Sequence, residues 1–349
     1  MSAAAATARR RGLAESTNAR RLVDLVFRAR EFGIIAVLIL LVTATAIAEP
    51  RFVDLTNIQF ILVDTTIFAL LALGETMVVL TRNVDLSIGS VLGLSAFLSA
   101  DLFPHHPGIP IPVVFLVGLG IGLACGFVNG FLTVVGRVPS LVVTLAMLYI
   151  VRGITVLVVG GGQVVASSLP NSFTEIPKRT VAGIPVLAIV VAVVIAVGAY
   201  YLRSYRSGRE LYAVGSNPDA ARLAGIPSGK RVFTAFLVSG AIAGIAGVLY
   251  AARYGTIDST AGVGYELQVI AAVVVGGVAI FGGSGSVVGA AFGALLLQTI
   301  LSALYVLGVS PFWNQAIAGA LLLGAIVLDR FISLWLAAAL RRRRTHLGA

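Results

Sequence analysis

Five polar side chains interrupt apolar runs in the first half of the sequence, where they could do chemistry. Glu75 lies inside one run, Asn83, Asp85 and Ser87 follow its end, and Asn129 lies inside a later run. Such side chains can line the path of a transported solute, because charged groups within a membrane face protein or water. The structural alternatives are a helix cap at Asp85 or Ser87 and a helix-to-helix hydrogen bond from Asn129.

The sequence lacks the residue patterns of common catalytic sites. Neither Lys178 nor Lys230 follows a GxxxxGK[ST] phosphate-binding loop, and no HExxH or GxSxG motif occurs. The single Cys125 and three scattered histidines have no metal-ligand spacing. We therefore expect no catalytic residue, no metal and no cofactor. Any energy for work must come from another subunit or from an ion gradient.

The fractions of hydrophobic and charged residues indicate whether the chain folds in water or in a membrane. Hydrophobic residues make up 58% of the 349 positions, charged residues only 11%, and the mean hydropathy is +1.00. A soluble domain is about one quarter charged, so this chain cannot cover a water-facing surface. The sequence predicts an all-α polytopic membrane protein. We therefore attribute the net charge of +10 to the orientation of the chain in the membrane and to contact with membrane lipid, not to binding of nucleic acid.

The apolar segments set the predicted organisation. Ten are present, at 32–48, 58–81, 88–103, 113–134, 139–159, 184–202, 232–251, 268–281, 287–307 and 312–329. We expect about ten transmembrane helices in a domain over 32–330, preceded by a basic cytoplasmic segment, 1–31, and followed by a basic tail, 331–349. The segments 88–103 and 268–281 are short for a full span, which is typical of broken or re-entrant helices.

The basic residues predict the orientation. If the N-terminus is cytoplasmic and the chain crosses ten times, the internal stretches hold twenty of the twenty-five Lys and Arg residues. This asymmetry follows the positive-inside rule and puts both termini in the cytoplasm.

Glycines are concentrated before the segment 287–307. Gly276, Gly277, Gly282, Gly283 and Gly285 lie in or beside a break between two apolar segments. We interpret them as positions of close packing and helix breaking. A phosphate-binding loop is excluded, because neither a preceding strand nor a following lysine is present.

The loop 203–231 is long and basic, and it carries signals for a short helix. Ser216 or Asn217 can cap its start, Pro218 suits the first position, and Gly225 suits the stop. We expect a helix over Pro218–Ala224 with Ala220, Ala221 and Leu223 available for contact. The paired start and stop favour a docking helix for a cytoplasmic partner over a connector held by lipid headgroups.

Six stretches in order, over about residues 35 to 330, resemble the permease subunits of ABC importers of the ribose and monosaccharide family. They are "LALGETMVVLTRNVDLSIGS" at 71–90, "GFVNGFL" at 126–132, "VPSLVVTLAMLYIVRGI" at 138–154, "GRELYAVGSNPDAARLAGI" at 208–226, "IAAVVVGGVAIFGGSGSVVGA" at 270–290 and "VSPFWNQAIAGALLL" at 309–323. The stretch "LTRN" is closer to the autoinducer-2 and rhamnose-like branches, and Glu75 departs from a neutral residue common in the family.

The resemblance implies a type II importer fold and three kinds of protein partner: ABC ATPase subunits, an extracytoplasmic solute-binding protein and a second permease subunit, identical or paralogous. It implies that Gly208, Arg209, Glu210 and Gly215 belong, with the helix after them, to the loop that couples to the ATPase. The transported solute would be a monosaccharide or a sugar-like molecule. The alternative is a gradient-driven secondary transporter acting alone, which has no need of an ATPase-docking helix.

Overall fold

The computed structural model describes residues 33–310, 312–313 and 315–327. The segment 1–31 and the tail 331–349 of the predicted organisation lie outside them. The helices are α1 Gly33–Ala48, α2 Leu55–Leu80, α3 Ile88–His105, α4 Ile111–Val134, α5 Ser140–Val159, α6 Asn171–Thr174, α7 Val186–Ser204, α8 Arg206–Ser216, α9 Pro218–Leu223, α10 Ser228–Tyr254, α11 Tyr265–Val275, α12 Val287–Val306 and α13 Gln315–Val327.

Each of the ten apolar segments contains one of these helices. Within the described residues, seven helices are long and apolar enough to cross a membrane: α2, α3, α4, α5, α7, α10 and α12. The helices α1, α11 and α13 are shorter, so the count of ten crossings stays a prediction. With 11 residues, α11 rises about 16 Å, roughly half the thickness of a hydrocarbon core. The all-α polytopic fold is confirmed.

Helix α2 forms the centre of the bundle. From Val63 onward it is buried on almost every side, and it packs against α7, α10, α11 and α12. A helix that is apolar all round is expected to be enclosed by other helices. In contrast, α4, α5 and α7 leave large apolar side chains exposed, as surfaces in contact with lipid or other subunits do.

Glycines bring α4 and α10 into close contact. A methyl group added at Gly122 would collide with the carbonyl of Gly240, and one at Gly118 or Gly126 would collide with other atoms of α10. Backbones that approach this closely gain van der Waals contact, which drives helix association in a membrane. The α4 glycines recur every four residues in the sequence, which places them on one face of the helix.

Four segments that the positive-inside rule assigns to one side meet at one end of the bundle. They are 82–87, 135–138, 203–231 and 282–286. Arg82 donates to the carbonyls of Gly215 and Ser216, the amide of Gly283 donates to the carbonyl of Leu80, and Gly229 lies against Val134. We call this the basic end.

The opposite end contains the long connection between α5 and α7, residues 160–185. A two-stranded antiparallel hairpin pairs Thr180–Val181 with Ile184–Pro185, a feature that was not predicted from the sequence. Gly183 accepts a hydrogen bond from the side chain of Gln59. Between helices, Arg253 bonds Asp64 at 2.7 Å.

Candidate coupling surface and buried polar cluster

The loop 203–231 contains two helices, not one. Helix α8, at Arg206–Ser216, was not predicted from the sequence, because the stretch reads as a charged connector without a strong start signal. Its apolar face, with Leu211 and Val214, is buried against the bundle. We call α8, α9 and the turn after them, residues 206–227, the coupling surface.

A two-arginine ion pair fixes α8 to the start of α10. The carboxylate of Glu210 accepts from Arg231 at 2.5 Å and from Arg206 at 2.8 Å, and the Glu210 side chain is only 7% exposed. The hydrogen bond from Arg231, followed by that from Arg206, holds the pKa of the Glu210 carboxyl below its usual value. Glu210 is therefore ionised at neutral pH, and it positions α8.

The C-terminal end of α8 packs directly on the end of α2. Any side chain at Gly215 would collide with the carbonyl of Leu80, and one at Gly283 would collide with Ser216. At the start of α8, Gly208 lies as tightly against Tyr201 and Leu202 of α7, and the neighbouring Arg209 bonds the carbonyl of Ser204 at 2.7 Å. These glycines therefore let α8 contact two membrane helices at backbone distance.

The glycine loop, residues 276–286, forms the third wall of this junction. Gly277, Gly282, Gly283 and Gly285 have positive φ angles, which non-glycine residues rarely adopt. Gly276 lies against Ala290 of α12. The loop is fixed to α8 by the Tyr212 hydroxyl, which donates to the carbonyl of Gly285 at 3.1 Å. Helix breaking and close packing, the two expected roles, are both present in this geometry.

Helix α9 has the start and stop signals that the sequence contains. The Asn217 side chain accepts from the amides of Asp219 and Ala220, Pro218 occupies the first position, and Gly225 turns the chain with φ of +75°. Of the two cap candidates, Asn217 is used, and the Ser216 hydroxyl instead faces the carbonyl of Gly283. The helix ends at Leu223, one residue earlier than expected.

The expected contact face of α9 needs one correction. Ala221 is only 4% exposed, because α9 packs on α8 and on the start of α10 with this side chain inward. Ala220 is exposed as expected, and Leu223 is 90% exposed. A large apolar side chain with this exposure on a rigid, capped helix is the feature of the surface that a partner would cover.

Four of the five polar candidates lie together inside the bundle. The amide of Asp85 donates to Glu75 at 3.1 Å, the Ser87 hydroxyl donates to Asp85 at 2.6 Å, and the Asn129 side chain donates to Ser87 at 2.8 Å. Ser239 of α10, which was not a candidate from the sequence, donates to Asp85 at 3.4 Å. We call Glu75, Asp85, Ser87, Asn129 and Ser239 the buried polar cluster.

The cluster explains the path of the chain between α2 and α3. After α2 ends, the chain turns back into the bundle, and Asp85 reaches the level of Glu75, which lies on α2 itself. Asp85 also accepts from the amide of Ser87, at the start of α3. Each cluster side chain is at most 2% exposed, so none of them faces open space in this conformation.

Not every polar atom of the cluster is paired. Among the described residues, Oε2 of Glu75 and Oδ1 of Asn129 are buried without a hydrogen-bond partner. The fifth candidate, Asn83, lies apart: it is half-buried and donates to Thr81. Of the two structural roles considered from the sequence, the helix-to-helix bond from Asn129 is present. Helix α3 has no side-chain cap bond, and Asp85 instead accepts from the amide of Ser87 in the turn before it.

The fold and these two regions define a polytopic membrane permease, and comparison with known proteins specifies which kind. Residues 57–326 match the model of the family described as "Branched-chain amino acid transport system / permease component". The chain belongs to this family, which confirms the resemblance carried by the six sequence stretches.

Curated relatives give a finer comparison. The chain is similar to the autoinducer 2 import system permease protein LsrC of Enterobacter sp. (strain 638), with 34% identity over 87% of this chain and 88% of the relative. The protein of the same name from Escherichia coli (strain K12 / DH10B) is 33% identical over 93% of both chains. No solved structure matches the chain.

Proposed function

We propose that this chain is the membrane subunit of an ATP-driven importer and that ATP is hydrolysed on a separate subunit that binds the coupling surface. One observation carries this proposal: Leu223 is 90% exposed on a helix that is capped by Asn217 and backed by α8 and α10. An apolar side chain held rigidly in water is a ready anchor for a partner. The basic end then faces the cytoplasm, and both termini with it.

The contacts behind Leu223 support transmission of movement into the membrane. Helix α8 is tied to α10 through Glu210 and Arg231, to α2 through Arg82 and Gly215, and to the glycine loop through Tyr212. A partner that pulls on α9 therefore moves three membrane elements together. Packed elements of this kind shift as rigid units between discrete arrangements.

The competing function is a secondary transporter that works alone on an ion gradient. It would leave α9 without a partner, and the exposed Leu223 without a role. The polar cluster could then carry ions, but its side chains are at most 2% exposed and bonded to one another. The geometry of the coupling surface favours the ATP-driven importer.

For the solute, we propose autoinducer-2 or a sugar-like molecule of similar size. The support is the name of the relatives, which cover 93% of this chain in one case, together with the "LTRN" stretch at 80–83. An extracytoplasmic solute-binding protein delivers the solute, and a second permease subunit, identical or paralogous, completes the path. Competition for uptake between labelled autoinducer-2, ribose and rhamnose in the complete system distinguishes these solutes.

Site-specific crosslinking tests the coupling surface. The native Cys125 is buried, so it gives a silent background for new exposed cysteines. Leu223→Cys carrying a photoreactive maleimide should crosslink to the ATPase subunit in membranes that contain the complete system. The control is Ser167→Cys, an exposed position at the opposite end. Equal crosslinking at both positions, or none at Leu223, would contradict the assignment of α9.

A further inference from the structure

Two cavities on the outside of the bundle join into one furrow between α7 and α12. One, of about 320 Å³, is apolar, and its floor is formed by α2. The other, of about 580 Å³, lies at the basic end, and the two share Val288 of α12. On α7 the lining residues continue at helical spacing from Ala188, Ala192 and Ala196 to Ala199 and Arg203.

We call the apolar cavity the upper part of the furrow and the cavity at the basic end its lower part, and the two differ in charge. In the upper part, the α7 residues are alanines, valine and isoleucine, and the α12 side contributes Phe292 and Leu295. The lower part is lined by Arg203 and Arg209, and within the described residues no acidic side chain lines it. The nearby Glu210 is already paired with Arg231 and Arg206.

Backbone groups add to the positive field of the lower part. Val287 and Val288, the first residues of α12, line it. Amide groups in the first turn of a helix have no acceptor within that helix, and the helix dipole favours an anion there. The Arg209 guanidinium is oriented by its bond to the carbonyl of Ser204, and it keeps further N–H donors for a ligand.

We infer that the furrow binds one anionic phospholipid, with its phosphate between Arg203 and Arg209 and an acyl chain between α7 and α12. The dimensions agree with this ligand. From Ala188 to Ala199 the furrow runs about 16 Å along α7, close to half of a ~30 Å hydrocarbon core, so it spans one leaflet. A basic pocket beside membrane helices is a recurring site for anionic headgroups.

A protein helix fits the furrow less well than a lipid does. The occupant must be apolar at one end and anionic at the other, within one leaflet. This site goes beyond transport of the solute and does not depend on which solute is carried.

Lipid titration of the purified full-length chain tests the inference. The protein is stripped of lipid in mild detergent and titrated with phosphatidylglycerol or phosphatidylcholine of the same acyl chains, and retained lipid is counted by native mass spectrometry. One phosphatidylglycerol should be retained per chain, at least about tenfold more tightly than phosphatidylcholine. Equal affinity for the two lipids, or no retained lipid, would overturn the site.

Matched variants distinguish a specific phospholipid site from general electrostatic attraction between the lipid and a basic protein. Arg203→Gln with Arg209→Gln should weaken phosphatidylglycerol binding about thirtyfold, whereas Arg222→Gln with Lys230→Gln, which removes the same charge from exposed positions, should change it less than about threefold. Equal losses in the two pairs would mean diffuse attraction and would refute the site.

The apolar half has its own test. Ala196→Phe fills the furrow and should weaken retention of the lipid about tenfold, with no change in charge. Val193→Phe, on the exposed face of the same helix and outside the furrow, is the control and should bind lipid as the wild type does. Unchanged retention in Ala196→Phe would place the acyl chain elsewhere and refute the furrow.

Discussion

Asp85 and Leu223 lie in two parts of the chain that interrupt its apolar pattern, and their surroundings differ completely. Asp85 is 1% exposed and accepts bonds from Ser87, Asn129 and Ser239. Leu223 is 90% exposed, and its helix, α9, packs on α8 and α10 through the face that carries Ala221. The buried polar cluster is therefore nearly complete within one chain, whereas the coupling surface leaves a large apolar side chain uncovered, as we propose for a surface that binds a partner.

On the proposed function, this contrast separates residues that should stabilise the chain from residues that should serve transport. Removing a side chain from the buried polar cluster should lower the stability of the isolated chain. Removing one from the outer face of α9 should leave the chain stable and reduce transport. We expect the effects on stability to decrease in the order Asp85, Ala221, Glu75 and Glu210.

Asp85→Ala should have the largest effect. It removes the buried acceptor of Ser87 and Ser239 and one of the two acceptors of Asn129, which should cost about 3–5 kcal/mol in the free energy of unfolding. Thermal unfolding in mild detergent measures this loss. A variant with the melting temperature of the wild type would mean that the cluster does not hold the segment 82–87.

Ala221→Glu should have an intermediate effect. The side chain is 4% exposed and faces α8 and α10, so a carboxylate there must be buried or must push α9 away. We expect a local cost of about 1–3 kcal/mol, seen as faster proteolysis within 217–227. Ala220→Glu, at the exposed neighbouring position, is the control and should be cut at the wild-type rate.

Glu75→Gln should cost less than about 1 kcal/mol in stability. The amide oxygen can still accept from the backbone of Asp85, and the change replaces one of two neighbouring buried carboxyl groups. Glu75→Ala, which leaves the amide of Asp85 without its acceptor, should be clearly less stable in the same thermal assay. If the two variants are equally unstable, the hydrogen bond to the amide of Asp85 is not the main contribution of Glu75.

The Glu210 ion pair predicts a weak dependence on pH. Because Arg231 and Arg206 lower the pKa of Glu210, its contribution is fully present above the unfolded pKa of about 4.3 and is lost as pH falls through the lower folded pKa. Proteolysis between α8 and α10 should accelerate only at acidic pH in the wild type. In Glu210→Gln this acceleration should be absent, because the titrating group has been removed.

Much of the fold could be predicted from the sequence, since apolar length alone defines membrane helices. All ten apolar segments contain a helix, and the caps Asn217, Pro218 and Gly225 were readable from residue type. Helix α8 could not be predicted in this way, because its stability comes from tertiary contacts at Glu210 and Gly215 and not from local signals.

The site was predicted less completely than the fold, for a physical reason. Residue type marked Glu75, Asp85, Ser87 and Asn129 as unusual, but only three-dimensional packing shows that they meet one another and Ser239. Likewise, the residue pattern identified α9, yet which alanine faces inward depends on how α9 packs against α10. Sequence spacing predicts a helix and its ends, whereas the direction of its contact face requires the neighbouring helix.

Solute uptake by Leu223→Glu tests most directly whether the coupling surface needs a partner. We expect the variant to unfold within about 0.5 kcal/mol of the wild type, since the side chain is 90% exposed, while uptake in the complete system falls at least about tenfold and the ATPase subunit no longer co-purifies. Ser167→Glu, which adds the same charge at the opposite end, should retain both. Normal uptake and normal co-purification in Leu223→Glu would contradict the role of α9 as the docking helix.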